Sequence, residues 1–589
     1  MIVDDAVAVG EERVAFSGLR SGTTALTWAQ RSWWPAYRTG TEFLSVDLPL
    51  PGQTTMDDIR AAVRRLLDRH ESLRTCYPVT GGGERVQRLL GAGAYDLRIE
   101  RLDGTVGDGP ADRAAGLTAE LTGTPVDHER DVPVRVGVLV GGTRPVHLVL
   151  VVSAFAVDCW SIATLRQDLA ALLPGGEPPE APPPRQPAGM AGWEQSAAGA
   201  RTEEEALEFW RDRLAEMPRT LFPVSPESPD PAADPHWLCR FDSTPTAVGC
   251  TLLSTRYRVS TGHVLLAGLA AVLGAHTGVA ACPLGLIVNN RMADPAAVGS
   301  AMLYMQEGIC AVPLGDASFR ELALACRSAA MAAHRYARYD PAARDAALAR
   351  EALRRGMVPM RSCLVNDTRR PATFLADGAT PELLRAPDLA GEAACRWRPY
   401  GMNLPGVDLF VTVLNRADTA SLAVLTDTRQ VSRTDVAALL RGLELVITQA
   451  AVDDLRLTDV GALTGLGPPA ALSTWTFVER SWVNPSSVEQ CLRATAGTAD
   501  VLVLPADDGG RRSLVGYVGL PVGAPVPDLA DLHARLTRAV DGVRDAVAPG
   551  HYVVCAGAPQ DGGSPGAWRR LPVLAEGTGR EPVLAGRPG

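Results

Sequence analysis

The residues best suited to act on a substrate lie in one short stretch behind an apolar run. Residues 146–152 (VHLVLVV) are followed by Ser153, with Asp158 and Ser161 shortly after. Ser153 could donate a hydrogen bond or act as a nucleophile, but a serine nucleophile needs a neighbouring base. His147 shares its strand face, yet at about 3.3 Å per residue it is about 20 Å away. The sequence therefore favours a plain polar Ser153 over a catalytic one.

The elements around this stretch alternate between strand and helix. The run 146–152 is typical of a strand covered on both faces. It leads through a turn into an amphipathic helix over 161–173, and a second helix is predicted over 57–70 from its apolar spacing. A helix over 264–276, a buried strand over 284–290 and a helix over 319–337 repeat the pattern. The sequence therefore predicts an α/β fold in two halves.

Three stretches rich in proline, glycine or acidic residues divide the chain. Residues 174–187 and 223–235 are dense in proline and acids, which predicts exposed linkers, and 461–470 precedes a change of pattern. We expect an N-terminal segment over 1–173, a middle segment over 190–460 and a tail over 471–589.

Composition excludes several enzyme classes. The 57 basic residues are all arginine, since the sequence contains no lysine. A P-loop, a pyridoxal enzyme and a kinase each need a lysine. A net charge of −10 argues against nucleic-acid or anionic-membrane partners. There is no apolar run of membrane-spanning length, and the start is acidic, so we expect a cytoplasmic protein.

The 11 cysteines are dispersed without a CxxC pair, which predicts reduced core thiols and neither a zinc site nor a disulfide framework.

Several motifs, taken in chain order, resemble the condensation domains of nonribosomal peptide synthetases. The resemblance extends over about 450 residues, and a match of this length is stronger evidence for a family than any single motif. The matching stretches are Leu26–Trp34 (LTWAQRSWW), Arg69–Thr75 (RHESLRT), 125–140 (PVDHERDVPVRVGVLV), Trp193–Leu214 and Gly285–Arg291 (GLIVNNR).

This resemblance implies two lobes of the chloramphenicol-acetyltransferase type, forming a V-shaped pseudo-dimer with a tunnel between them. It also implies the partners: peptidyl or acyl carrier proteins and neighbouring synthetase modules, which present phosphopantetheine-tethered aminoacyl or peptidyl thioesters. The implied reaction is attack of an acceptor amine on a donor thioester. The chain would need no cofactor or metal of its own.

The active motif of the family, HHxxxDG, is degenerate in this chain. The aligned residues read SAFAVDC from Ser153 to Cys159, and Ala154 stands where the key histidine would be. A methyl group can neither move a proton nor orient an amine. Ser153 stands at the first histidine position, Cys159 replaces the glycine, and Asp158 alone is retained, so Ser153 and Asp158 are the candidate residues at the catalytic motif positions. The spacing of Ser153, Asp158 and Ser161 only partly matches the DxxxxDxxS pattern of heterocyclisation relatives, whose first Asp is missing here.

Other positions of the resemblance are structural. Asp158 is implied to pair with Arg291, and breaking a buried pair costs roughly 3–5 kcal/mol. The implied motif and tunnel residues are Trp160, Ser161, Asn289 and Asn290. His70 of the RHESLRT motif is interpreted first as structural, with a catalytic role as the alternative.

The tail resembles the small C-terminal subdomain of an adenylation enzyme. The stretch Trp482–Leu492 resembles the start of its first helix, and 547–554 resembles one of its strands. Pro565 occupies the place of the family's terminal lysine, and the large ATP-binding part is absent. We expect the tail to pack against the neighbouring lobe or to contact a carrier or synthetase.

Two further patterns fail on chemistry. Residues 562–566 fit the nucleophile elbow GxSxG, but the proline after the serine has no N–H for an oxyanion hole. Residues 465–470 fit GxGxxA, but two prolines cannot open the required helix.

Two hypotheses follow for the whole chain. The first is a non-catalytic module that binds carriers or synthetases in the biosynthesis of an antibiotic-type peptide. The alternative is a histidine-independent condensation enzyme that forms amide bonds by positioning its substrates, which can supply roughly 7–11 kcal/mol at best.

Overall fold

A computed structural model describes most of the chain. The described residues are 10–102, 109–174, 176, 184–224, 235–369, 379–385, 394–401, 404, 406–414, 416, 419–498, 500–508, 511–559 and 564–580. Most of the two predicted linkers at 174–187 and 223–235 lies outside them, as do residues 562 and 563 of the GxSxG pattern.

The described residues form two compact units. The first unit holds the chain up to Ala206 and two later returns, Val288–Gln306 and Ala337–Pro341. The second unit holds Leu207–Ile287, Glu307–Tyr336 and the remainder from Ala342. Residues 187–206, predicted to open the second half, thus belong to the first unit, and the tail belongs to the second. The three predicted segments stay a prediction.

Among the described residues up to Leu214 there are eight strands and six α-helices. The strands are β1 Gly10–Phe16, β2 Gly22–Ala25, β3 Phe43–Pro49, β4 Thr75–Cys76, β5 Val86–Leu89, β6 Gly93–Arg101, β7 Val134–Gly141 and β8 Arg144–Ser153. The helices are α1 Trp28–Tyr37, α2 Met56–Arg69, α3 Pro110–Leu121, α4 Cys159–Leu172, α5 Pro187–Glu194 and α6 Ala197–Leu214.

The first unit is built on a five-stranded sheet in the order β1-β6-β7-β8-β3. Strand β8 is buried on both faces. Leu148, Leu150 and Val152 join one apolar cluster with α2 and α4, whereas Val149 and Val151 join another with α3. This explains the continuous apolar run in the sequence, because a strand covered on both faces has no solvent side to carry polar residues. A separate sheet has the order β2-β5-β4.

A buried carboxyl closes the N-terminus of α1. The Trp28 N–H donates to Glu194 Oε2 at 2.8 Å, and the two rings of Trp28 and Trp193 meet edge to face at 6.2 Å. Glu194 is only 7% exposed. Burial raises the pKa of Glu194 to about 8, although the Trp28 N–H and the Arg31 charge oppose the rise. Glu194 therefore keeps its proton at neutral pH.

The second unit begins with a second layered α/β arrangement. Its strands are β9 His236–Ser243, β10 Ala281–Asn289, β11 Met305–Pro313, β12 Cys363–Asp367, β13 Cys395–Pro399, β14 Leu409–Leu414 and β15 Ala420–Asp427. Its helices are α7 Thr244–Tyr257, α8 Thr261–Thr277, α9 Phe319–Arg335, α10 Pro341–Arg355, α11 Arg433–Val452 and α12 Val460–Thr464. The last two residues of β10, the first two of β11 and the first of α10 are counted with the first unit.

These strands form a seven-stranded mixed sheet in the order β11-β10-β12-β14-β15-β9-β13. The pairs β10–β12 and β12–β14 are parallel, whereas β14–β15, β15–β9 and β9–β13 are antiparallel. All the helices and strands predicted in the two halves are present, and the α/β fold class is confirmed.

Among the described residues no single helix is long and apolar enough to cross a membrane. The consecutive helices α7 and α8 together reach the required length and apolar composition, but the pair is bent by 109°.

The tail adds a small sheet and three helices. Its strands are β16 Thr476–Val478, β17 Ser481–Val483, β18 Val501–Asp508, β19 Arg511–Leu520, β20 His551–Ala556 and β21 Val573–Gly577, and its helices are α13 Pro485–Ala496, α14 Leu529–Ala539 and α15 Pro565–Trp568. The sheet order is β18-β19-β20-β21. Strand β20 begins later than the predicted 547–554, because Pro549 has no N–H and Ala548 N–H donates to Gly356 O at 2.8 Å.

Buried arginines join the tail to the rest of the second unit. Arg355 Nη1 donates to the carbonyls of Leu214 (2.8 Å) and Met217 (2.6 Å), while its Nη2 donates to Glu479 O at 2.7 Å. Arg219, which is also fully buried, donates to the carbonyls of Val358, Val540 and Asp541. Arg544 Nη2 pairs with the buried Asp408 carboxylate at 2.6 Å. The tail is therefore packed onto this unit as the sequence led us to expect.

Candidate functional site

The turn after β8 carries the first two motif positions and is closed. Ser153 is 1% exposed and its Oγ accepts the Phe155 N–H at 3.2 Å. Its backbone N–H donates to Pro133 O at 2.8 Å, and the Ala154 N–H donates to Glu42 O at 2.9 Å. Ala154 is 7% exposed. The serine hydroxyl thus serves as a turn acceptor, as in other short Ser turns.

An aromatic cluster packs around Phe155, the third residue of the motif. The Phe155 ring meets Trp34, Tyr77 and His128 edge to face, at centroid distances of 5.0, 4.5 and 5.2 Å. Phe155 is fully buried. Edge-to-face pairs at these distances are stabilising beyond their buried area, by about 0.5–1.5 kcal/mol each. The cluster therefore fixes the turn by packing on one side.

His128 is the imidazole that this cluster brings to the motif turn. Its Nε2 lies 3.0 Å from Tyr37 O and so carries the hydrogen, which leaves Nδ1 as an acceptor that is buried without a partner. Burial lowers the pKa of His128, so the ring is neutral at pH 7. This placement of His128 could not be predicted from the sequence beyond its membership of the motif stretch 125–140.

Asp158 is the helix cap of α4 and has both carboxylate oxygens engaged. Oδ1 accepts the Ser161 N–H at 3.1 Å and the Ser161 hydroxyl at 2.9 Å. Oδ2 accepts Arg291 Nη1 at 2.8 Å and the Tyr304 N–H at 3.0 Å. Asp at the N-cap with a reciprocal bond from the third helical residue is a strong helix start signal. Four donors leave this carboxylate no free role as a base.

Arg291 ties the returning segment 288–306 to this turn. Its Nη2 donates to Ser161 Oγ (3.1 Å) and to Met302 O (2.7 Å), and its Nε donates to Ser300 O at 3.1 Å. Asn289 Oδ1 accepts Arg291 Nη1 at 3.0 Å. The structure thus brings Asp158 and Ser161 together with Asn289 and Arg291. The two pairs are about 130 residues apart in the chain.

The remaining predicted residues lie beside this network. Trp160 is partly exposed on the first turn of α4. Asn290 is buried, its Nδ2 donates to Ala337 O at 3.2 Å, and its Oδ1 is buried without a partner. Asn290 thus joins two segments of the first unit, whereas the motif or tunnel role of Trp160 and Asn290 stays a prediction.

His70 is held by a residue that the sequence analysis missed. Asp168 Oδ2 on α4 lies 2.8 Å from His70 Nε2 and 2.7 Å from Arg69 Nε. Burial lowers the pKa of His70 despite Asp168, whereas the pKa of Asp168, which burial would raise, is held down by His70 and Arg69. The sequence analysis predicted the helix that carries Asp168 but assigned this residue no role. The arrangement clamps α2 to α4 and supports the structural interpretation of His70.

The described residues contain no group of three or more histidine, cysteine or carboxylate side chains that could hold a metal ion. All 11 cysteines are free, and eight of them are buried.

The part of the chain that contains this site matches a known protein family. Residues 22–302, which include the motif turn, α4 and Arg291, match the family model of the condensation domain. This region is condensation-domain-like. The match covers about half of the chain and ends inside the returning segment.

Known relatives agree with the family match. The isonitrile lipopeptide synthase of Mycobacterium tuberculosis is 28% identical over 348 residues, or 55% of this chain and 14% of the relative. The chain therefore spans about a seventh of that synthase.

Solved structures show the fold of the condensation-domain-like chain. The X-domain from teicoplanin biosynthesis superposes with a TM-score of 0.55 at 21% identity, covering 75% of this chain and 98% of that domain. The complex of the X-domain and OxyB from the same biosynthesis gives 0.53 at 22% identity, covering 75% and 96%. The fold is that of condensation domains and X-domains, with lobes like chloramphenicol acetyltransferase.

Proposed function

We propose that this chain is a non-catalytic condensation-domain-type module of nonribosomal peptide biosynthesis, which engages carrier-protein-tethered aminoacyl or peptidyl thioesters. The observation that carries the proposal is the state of the motif turn. Ala154 offers a methyl group, the Ser153 hydroxyl accepts a backbone N–H inside a buried turn, and Asp158 has four donors. None of these three positions offers a free group for proton transfer.

A comparison favours a binding role. One solved structure with this fold is an X-domain in complex with another protein, OxyB. Carrier proteins and neighbouring synthetase modules are the partners that nonribosomal peptide condensation domains use, and their phosphopantetheine arm is the ligand expected for this chain. The chain itself would contribute shape and binding surface.

The second candidate is an amide-forming condensation enzyme that works without a motif histidine. One observation favours it: the network of Asp158, Ser161 and Arg291 that frames the turn is complete. A preserved frame could hold a reactive thioester against an unprotonated amine, for which positioning supplies much of the barrier reduction.

A reconstitution separates the two candidates. The full chain is mixed with the phosphopantetheine-bearing donor and acceptor carriers encoded beside it, loaded with aminoacyl groups, and the products are followed by mass spectrometry. We expect carrier binding and no new amide. Product formation would refute the non-catalytic role, and an unchanged rate in Ser153→Ala would then assign it to positioning.

We also propose that the tail derives from an adenylation-enzyme subdomain without its chemistry. Its β18–β21 sheet flanked by α13 and α14 and the proline at 565, where α15 begins, support this. Since the chain has no lysine, the tail cannot supply the ammonium group that such enzymes use.

A further inference from the structure

In the returning segment 288–306, charged side chains are buried while most apolar side chains between residues 292 and 299 are exposed. Two 3-10 turns, Asn290–Ala293 and Pro295–Ala297, repeat every three residues and so keep one side inward. The buried residues are Arg291, Asp294, Ala297 and Ser300. The residues between them form the apolar loop surface, which we define as Met292, Ala293, Pro295, Ala296, Val298 and Gly299, all of them exposed.

Hydrogen bonds and an ion pair of buried polar groups hold the loop in this orientation. Asp294 Oδ1 accepts the Ala296 N–H at 3.2 Å, while Oδ2 lies 3.3 Å from the Tyr304 hydroxyl and 3.4 Å from Arg185 Nη1. The Arg185 N–H donates to Ala296 O at 2.8 Å. Turning the loop over would break these bonds and the Arg291–Asp158 pair. The apolar loop surface is therefore preorganised, which lowers the ordering cost of binding a partner.

The exposure of this surface is large for apolar side chains. Met292 is 79% exposed and Val298 is 64% exposed. Single exposed apolar residues are ordinary, but a run of exposed apolar residues between the buried Arg291, Asp294 and Ser300 of the same loop indicates an interaction site. The sequence alone hides this, because Met292 and Val298 would be assigned to the core and Asp294 to the solvent.

Charge and size restrict the partner. The ionised groups beneath the loop, Arg291 with Asp158 and Arg185 with Asp294, are paired with each other. A surface without cations of its own does not hold a nucleic-acid backbone. Its six residues compare with roughly 20–30 a side in a stable interface, so it suits the apolar centre of a weak, transient contact. This argues against a lasting dimer of the chain.

The loop is also bonded directly to the motif turn. The Leu303 N–H donates to Ala156 O at 3.1 Å, and Arg291 reaches Asp158. A partner seated on the loop is therefore anchored to the segment that frames the turn. A carrier that delivers a tethered thioester binds briefly, needs only a small apolar contact and must reach the motif turn. It therefore suits the size, the apolar character and the position of this loop.

We propose that the apolar loop surface is a docking site for the carrier protein that brings the phosphopantetheine-tethered chain, an inference that rests on the proposed function. The contact is apolar at its centre, with Met292 and Val298 as anchors. Long, flexible methionine suits a surface that meets a partner briefly.

The test compares charged variants of the full chain. Met292→Glu with Val298→Glu places two carboxylates on the exposed loop, and we expect folding to be unaffected because both parent side chains face solvent. The matched control is Met331→Glu, whose side chain is 64% exposed on α9. The probe is the nearest encoded peptidyl carrier protein in its phosphopantetheine-bearing form, with binding measured by calorimetry. We expect at least a tenfold rise in Kd for the double variant and no change for the control.

A second readout uses the methionines themselves. Mild peroxide converts exposed methionine to the sulfoxide, and peptide mass spectrometry follows Met292 and Met331 in one sample. We expect the carrier to slow oxidation of Met292 and to leave Met331 unchanged.

The outcomes separate the docking site from the proposed function. Carrier binding with equal Kd in all variants would overturn the docking site and leave the proposed function standing. No carrier binding to the unmodified chain would overturn both. A dimer in solution that the double variant dissociates would assign the surface to a second copy and refute the docking site.

Discussion

Replacing Glu194 by glutamine should stabilise the protein at neutral and alkaline pH. The carboxyl has an ordinary pKa of 4.5 and a folded value of about 8, because it is buried against the Trp28 N–H. A raised folded pKa gives stability that is complete below 4.5 and is lost as the pH rises towards 8. Glutamine keeps the acceptor oxygen and never ionises.

The magnitude follows from the difference between the two pKa values. Each pH unit above 4.5 favours the ionised unfolded chain by about 1.4 kcal/mol until the folded carboxyl ionises as well. Ionisation of Glu194 therefore costs about 3 kcal/mol of stability at pH 7 and about 4 to 5 kcal/mol at pH 8.5. At pH 5 the cost falls below about 1 kcal/mol.

Urea unfolding of the full chain, followed by tryptophan fluorescence at pH 5, 7 and 8.5, measures this. Trp28 and Trp193 flank the carboxyl and report on its surroundings. The control is Glu204→Gln, whose side chain is exposed on α6. A Glu194→Gln variant that is no more stable than the parent at pH 8.5 would show that the N-terminus of α1 outweighs burial and would refute the reasoning.

Three further predictions concern the buried network and the tail. Arg291→Ala leaves the Asp158 carboxylate buried without its cation, so we expect a loss of about 3–5 kcal/mol in denaturant unfolding. Gly356→Ala forces a side chain at φ 73° to within 2.8 Å of Ala548 O, and thermal melts should show a loss of about 1–3 kcal/mol. Burial lowers the pKa of His533, so stability should fall as the pH drops below 6.5, and His533→Gln should flatten that dependence in urea titrations.

Local patterns predicted the fold better than they predicted the site. Strand β8 was predicted from its apolar run and helix α4 from its amphipathic pattern, each within a few residues of its observed bounds. The motif resemblance placed Asp158 with Arg291, and the structure has their side chains 2.8 Å apart.

Contacts between residues far apart in the sequence could not be predicted from such local patterns. His70 and Asp168 are 98 residues apart, and Trp28 and Glu194 are 166 residues apart. The apolar loop surface was missed for another reason: a repeat of three residues matches neither the helix period nor the strand period. The sequence analysis therefore made no prediction for these residues.

The buried arginines of the second unit also set the order in which the chain can fold during synthesis. Arg219 is made early, but its carbonyl partners at Val540 and Asp541 lie more than 320 residues later. Until those residues leave the ribosome, the Arg219 guanidinium lacks two of its three carbonyl partners, so burying it would leave N–H groups unpaired. The residues of the first unit end at Pro341. We therefore expect it to fold while the ribosome is still translating, and the second unit to fold only once the tail has emerged.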